Sequence, residues 1–236
     1  SEHLPAAFWY SKNLAKKLFE VSQNKEIPYL RADGKTQVII NDGKISQVTI
    51  AIQHDKEWEG KQDKLKERII EQVVNPVTGE VPKVIVNGTG NFIKGSIWAD
   101  AGEVGRKIVI DQMGPDIPVG GGSLCGKDPS KVDLTGALMA RYIAKNIVAN
   151  KLADEALVQL AFTIGQPEPD TINIFAPGWK ENISPVEWVK KHFKLSVRNM
   201  INQLALTQPN GWTFEEAARF GFYGNTNFPW EYIQIS

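Results

Sequence analysis

The chain has 236 residues, 42% of them apolar and 23% charged, enough for a large buried core arranged as one elaborate domain or two to three small ones. Its 27 basic and 27 acidic residues cancel, so no whole-molecule field favours nucleic acid or an anionic membrane as a partner, and any basic site is local. One cysteine, Cys125, excludes an internal disulfide framework and fits a reducing compartment; no apolar run is long enough for a membrane span and no signal pattern opens the chain, which points to a soluble, cytoplasmic protein.

After Pro5, the apolar residues Phe8, Leu14, Leu18 and Val21 recur at helical spacing between lysines, which predicts an amphipathic helix over 5–22. Arg31-Ala32-Asp33-Gly34-Lys35-Thr36-Gln37 reads as a turn entering a strand. Gln37 to Ile40 and Ile45 to His54 are rich in β-branched residues around Asn41-Asp42-Gly43-Lys44, the signature of a tight hairpin. Leu65, Ile69, Ile70 and Val73 mark a second helix, Val84 to Val86 a strand, and Lys107 to Asp111 another strand.

Gln112 to Ser130 is too dense in Gly and Pro for regular structure. Asp133 is a fitting N-cap for a long helix through Leu138, Ala144, Ile147 and Val148. Leu157 to Thr163 and Thr171 to Phe175 read as strands. A helix through Trp188, Val189 and Phe193 takes Ser184 as cap with Pro185 in its first turn, and another spans Val197 to Leu204. The order of elements fits α+β units in which sheets pack on helices.

The densest chemical signal is Gly120-Gly121-Gly122-Ser123-Leu124-Cys125-Gly126-Lys127-Asp128-Pro129-Ser130-Lys131-Val132-Asp133. Glycines let backbone N–H groups approach phosphate oxygens, lysines offset the charge, and an aspartate can bind the Mg²⁺ that polyphosphates carry. Gly121 to Lys127 fits the P-loop spacing, but Asp128 stands where Ser or Thr would hold the metal and no strong strand precedes it, so this is not a Walker loop. The competing reading is a surface loop with solvated lysines.

Two further clusters carry the same chemistry. Asn87-Gly88-Thr89-Gly90-Asn91-Phe92 offers an aromatic ring for stacking on a nucleobase. Asp100-Ala101-Gly102-Glu103-Val104-Gly105-Arg106-Lys107 offers a carboxylate and a basic pair for phosphate. The ordinary alternatives are a core phenylalanine and a wet strand end. His3, His54 and His192 show no metal spacing, and no nucleophile, base and orienter set supports acyl transfer.

Taken together, these segments resemble the S-adenosylmethionine synthetases, or methionine adenosyltransferases. The resemblance rests on Leu30 to Val38, Gly88 to Phe92, Asp100 to Lys107, Gly120 to Asp133, Arg141-Tyr142-Ile143-Ala144-Lys145-Asn146-Ile147-Val148 and Phe228-Pro229-Trp230-Glu231. It implies interleaved, repeated α+β subdomains, here residues 1–95, part of a second over 96–133 with the phosphate loop, and a third over 134–236. It implies ATP and methionine as substrates, Mg²⁺ as cofactor and K⁺ as an optional second cation.

By the same resemblance Asp33 and Lys35 belong to the ATP site, Phe92 packs near adenine and methionine, Asp100 contacts substrate, and Ile164 lines the adenosine pocket. Arg106, Lys107 and Lys127 face the triphosphate, Lys131 lies at the reacting centre, and Asp133 is a Mg²⁺ ligand. The family's reaction, displacement of tripolyphosphate from the 5′ carbon by a neutral sulfur, removes no proton. That fits the lack of an acid and base pair. The tripolyphosphate is then hydrolysed in the same cationic groove.

The chain also departs from the family. Its first third, with the His-Pro-Asp-Lys segment and the Gly-Ala-Gly-Asp-Gln-Gly loop, has no counterpart in this sequence. Asn91 and Leu134 stand in place of arginines, and Ser123-Leu124-Cys125 in place of Ala-Phe-Ser. The expectation is one subunit of a split enzyme, its partner carrying the missing third and pairing with otherwise open sheet edges. The alternatives are a non-catalytic scaffold or regulatory subunit of a full-length synthetase, and an artificially truncated chain.

Overall fold

A computed structural model of the chain describes residues 2–234 and divides it into two compact units, one of residues 3–103 and the other of 104–234 together with Glu2.

In the first unit, helix α1 (Ala6–Gln23) buries Leu14, Leu18 and Val21 along one stripe. Strands β1 (Leu30–Asn41) and β2 (Lys44–His54) form an antiparallel hairpin. Its tip places Asp42 and Gly43 at φ of 49° and 74°, the left-handed pair that matches the twist of the strands it joins. Helix α2 (Gln62–Ile69) runs through a π turn at Ile70–Val74 into the short α3 (Asn75–Thr78), the change of pitch falling just ahead of Pro76, which has no amide hydrogen to donate.

The chain then returns as β3 (Val84–Val86), parallel to β2, giving the order β1-β2-β3. The even-numbered residues Val48, Ile50 and Ile52 of β2 are buried in one core with Leu14 and Leu18 of α1 and Leu65 and Ile69 of α2. The odd-numbered residues, with Lys35 and Gln37 of β1, therefore lie on the face turned away from the helices. Thr36, between those two, donates to the Ser11 carbonyl of α1 at 2.8 Å.

One sequence expectation is corrected in these elements and two in the second unit. Residues 31–37 are not a turn: β1 already begins at Leu30, with an irregular register between Leu30 and Gly34. Lys107 to Asp111 is not a strand but leads into a one-turn helix, α4 (Ile108–Asp111), closed by Asp111 N–H to the Lys107 carbonyl at 2.9 Å. Among the described residues no strand offers Ile108, Val109 and Ile110 a ladder, so the backbone satisfies itself locally. Asp133 is not an N-cap either. Asp128 accepts the Ser130 amide at 2.7 Å, and the turn this makes brings Lys131 to the cap position of α5 (Val132–Ala149), with Asp133 in its first turn.

Helix α5 is buried on nearly every side and forms the axis of the second unit. Strands β4 (Leu157–Ala161) and β5 (Thr171–Phe175) form an antiparallel pair whose residues, from Val158 onward in β4 and throughout β5, alternate between half-buried and exposed. Helix α6 (Pro185–His192) starts at a reciprocal Ser184–Glu187 capping box, α7 (Val197–Gln203) at Ser196, and α8 (Phe214–Arg219) at a second box, Thr213–Glu216. Trp212, Phe222, Tyr223, Phe228 and Trp230 are buried, with Trp212 edge-on to Trp230 at 5.0 Å between ring centres. No described helix is long and apolar enough to cross a membrane.

Candidate phosphate and substrate site

In the second unit the Gly-rich loop ends on an ion pair. Lys127 Nζ contacts Asp133 Oδ2, and the two side chains are half-buried at 25% and 39% exposure. Gly122 is part of this arrangement. A Cβ there would stand 2.5 Å from Lys127 Nζ and 3.0 Å from Asp133 Oδ2, so only a residue without a side chain lets the backbone lie against both charges. The head of α5 supplies a further favourable field for an anion through its unpaired N–H groups.

The turn at 104–107 rests on the same loop. A Cβ on Gly105 would lie 3.1 Å from Ser123 Cβ, and one on Gly126 would lie 3.9 Å from Val104 Cγ1. Arg106 and Lys107, both exposed, thus leave the chain directly beside it. Lys131 is exposed at the cap position. Burial and the charge of Asp111 raise the Cys125 thiol above its ordinary range, so this cysteine favours the neutral form. Ile164 is fully exposed in the turn after β4, two residues beyond Phe162, whose ring lies 3.3 Å from where a Cβ on Gly136 would stand.

In the first unit Asp33 Oδ2 accepts the Ser96 amide at 2.8 Å. Lys35 is exposed on the outer face of the sheet, Phe92 is half-buried, and Asp100 is exposed. The segment after β3 is tied to β2 by side chains. Asn87 accepts from Ile52 N–H at 2.8 Å and donates to its carbonyl at 3.1 Å, and Gln53 donates to the Ile93 carbonyl at 3.0 Å. No spacing in the sequence encodes these ties; Asn87 stands there as the first residue of a Gly-rich cluster.

The other unforeseen group is buried. Arg141 donates to Glu231 from Nε at 2.9 Å and from a terminal nitrogen at 2.8 Å, Lys145 donates at 2.8 Å, and the Gly224 amide at 2.8 Å. The legible signal was a basic pair at i and i+4 in an otherwise apolar helix. Two of the motifs that carry the family resemblance are therefore joined to each other in the core of the unit. A concavity of about 350 Å³ over β4, β5 and Val186 contains none of the candidate residues.

Among the described residues no group of three or more His, Cys, Asp and Glu side chains is placed to hold a metal. A lone carboxylate beside cationic groups suits Mg²⁺ that arrives with phosphate, because that ion keeps waters and phosphate oxygens and takes one or two carboxylates from the protein. Asp133, facing the bare Gly121–Gly122 backbone, fits that pattern.

The chain matches the central domain of S-adenosylmethionine synthetase over residues 1–92 and the C-terminal domain over residues 94–232. It is 38% identical to the S-adenosylmethionine synthase of Chlorobium phaeobacteroides, a match covering 98% of this chain and 62% of that protein. Its α+β fold matches an unusual S-adenosylmethionine synthetase from Campylobacter jejuni with a TM-score of 0.90 and 26% identity, over 99% of this chain and 65% of that one. The chain thus spans less than two thirds of the length of either relative. The two domain matches and the identity establish that it belongs to the S-adenosylmethionine synthetase family.

Proposed function

We propose that this chain contributes to the synthesis of S-adenosylmethionine from ATP and L-methionine, with release of phosphate and pyrophosphate, in a site completed by a second polypeptide. The observation that carries the reading is the head of α5, where Lys127 and Asp133 meet over the bare Gly122 backbone and Lys131 stands at the cap position, in a chain of this family. In the reaction a neutral sulfur attacks a saturated carbon, and the leaving tripolyphosphate gains negative charge. Lys127, Lys131, Arg106 and Lys107 stabilise that charge and hold the chain of phosphates in line. Asp133 would hold Mg²⁺, which neutralises phosphate charge when bound. Asp33, Lys35, Phe92, Asp100 and Ile164 bind the nucleoside and the amino acid.

Partner dependence draws support from surfaces left open in each unit. Among the described residues the three-stranded sheet ends at a β3 of three residues and the second sheet has two strands, which leaves backbone groups for pairing. Ile97 and Trp98, neighbours in one turn, are 78% and 88% exposed, and an open apolar pair of this kind suits a surface that a further chain would cover.

A scaffold role is the second reading. Leu134, in an arginine's place, is fully buried and offers nothing to phosphate. The test is formation of S-adenosylmethionine by the chain alone and mixed with a candidate chain that carries the family's N-terminal third. Activity in the mixture only is the expected result. A stable, active monomer would overturn the partner requirement, and an inactive mixture would favour the scaffold.

A further inference from the structure

His54 is fully buried at the end of β2, and the reaction proposed above gives it no part. Its surroundings define its state. The Phe92 amide donates to Nε2 at 3.1 Å, and Nδ1 lies 2.8 Å from the Asp55 carbonyl. A backbone N–H can only donate and a backbone carbonyl can only accept. Both bonds form together only if the ring is neutral with its hydrogen on Nδ1, the tautomer that leaves Nε2 as an acceptor.

The same residue holds Phe92 a second time, through His54 N–H to the Phe92 carbonyl at 2.9 Å. Gln62 buttresses the ring from α2. Its amide nitrogen lies 3.2 Å from Nε2 and donates to Asn91 Oδ1 at 2.8 Å and to the Trp58 carbonyl at 3.1 Å. The Asn91 and Trp58 acceptors take both hydrogens of that nitrogen and fix its orientation against the ring, even though Gln62 Oε1 is then buried without a partner among the described residues.

The contacts lie beyond β3, where the ladder with β2 has ended at Ile50–Val86. From there the 87–93 segment is held by single backbone bonds, Asn87 N–H to the Ile50 carbonyl and His54 N–H to the Phe92 carbonyl, both at 2.9 Å, and by side chains of β2 and of Asn87. His54 is the side chain that grips residue 92 itself.

We propose that His54 is a positioning residue: as the neutral Nδ1–H tautomer it fixes the Phe92 backbone, and through it the angle at which the Phe92 ring meets the substrate. The assignment of Phe92 to substrate rests on the function proposed above; the grip on its backbone does not.

The test separates the two. Long-range ¹H–¹⁵N spectra of the full chain, with His54 identified by its absence in His54→Gln, should show the Nδ1–H tautomer. Amide exchange should show Phe92 protected. His54→Gln keeps an acceptor near the Nε2 position and should leave that protection within about threefold. His54→Asn keeps only the donor to Asp55 and should speed Phe92 exchange by roughly ten- to a hundredfold, as expected for a lost buried bond. In the active mixture His54→Asn should raise the methionine KM about tenfold with kcat changed less than threefold.

An Nε2–H tautomer, or unchanged Phe92 exchange in a folded His54→Asn, overturns the proposal. If that variant does not fold, the wild-type tautomer and the glutamine variant decide alone. Altered exchange with an unchanged KM overturns the link to substrate. A chain with the expected spectra but no synthetase activity in any mixture supports the grip and removes the function proposed for it.

Discussion

Glu231 accepts two hydrogen bonds from Arg141, at 2.9 and 2.8 Å, across 90 residues of sequence. The two side chains are 0% and 4% exposed. Asn146 adds to the clasp by accepting the Gln234 amide at 2.6 Å and donating to the Tyr232 carbonyl at 3.2 Å. Removing one member of a buried pair strands the other charge, at a cost of about 3–5 kcal/mol. Glu231→Ala is expected to lower the unfolding free energy of the chain by that amount in denaturant titration. A loss below about 1 kcal/mol would mean that the carboxylate does not hold the tail.

The same carboxylate sets a pH dependence. Burial works to raise the Glu231 pKa, but the hydrogen bonds and charge of Arg141, with those of Lys145 and the Gly224 amide, outweigh it and leave the group below its ordinary 4.5. A depressed folded-state pKa contributes stability above the unfolded value that is lost as pH falls through the folded one. Stability from this group should therefore be level between pH 7 and 5.5 and decline below about pH 4.5. The decline should be shallower in Glu231→Gln, as denaturant midpoints across that range would show.

Gly122 touches the candidate phosphate site without titrating. An alanine Cβ would meet the far end of Lys127, which can swing away, and the less mobile Asp133 carboxylate. Gly122→Ala should shift stability by no more than about 1 kcal/mol. It should still weaken binding of Mg²⁺–ATP at least tenfold by calorimetry, because the methyl group occupies the position where the backbone approaches both charges. Equal binding would place the phosphates elsewhere.

The ion pair of Lys127 with Asp133 is half-exposed and should contribute about 0–1 kcal/mol to folding. Lys127→Ala is expected to leave thermal unfolding almost unchanged. Binding of tripolyphosphate with Mg²⁺ should weaken by ten- to a hundredfold, more at low than at high ionic strength. A large loss of stability with unchanged binding would make the pair structural.

The periodic and punctuated parts of the fold were legible in the sequence. The α1 stripe, the Asp42-Gly43 hairpin and the Ser184 cap each follow from a local rule that the structure obeys. The failures have a shared physical cause. Ile108-Val109-Ile110 favours a strand, but a strand exists only where a neighbour pairs with it, and no described strand pairs with this segment. Asp133 suits a cap in isolation, yet the Asp128 turn moves the helix start and leaves its carboxylate for Lys127.

The candidate site was only partly legible for a similar reason. The composition of 120–133 marks a candidate phosphate loop, and the residues assigned to act with it come from the family resemblance. His54, Gln62 and Asn87 gave no signal because their value lies in which backbone atoms they reach, and no spacing encodes that. Glu231 was visible only as part of a family motif, since its partners lie on a helix some 90 residues away.

The most direct measurement is the single-turnover rate of S-adenosylmethionine formation from ATP and methionine, at saturating substrates, in a mixture of this chain with a chain that carries the family's N-terminal third. Replacing Lys131 by alanine should slow that step at least a hundredfold while leaving thermal unfolding unchanged, since the side chain is exposed and the proposed reaction assigns it to the departing phosphates. A Lys131→Ala mixture that turns over within threefold of the unaltered one would contradict the assignment of the head of α5 to the leaving group.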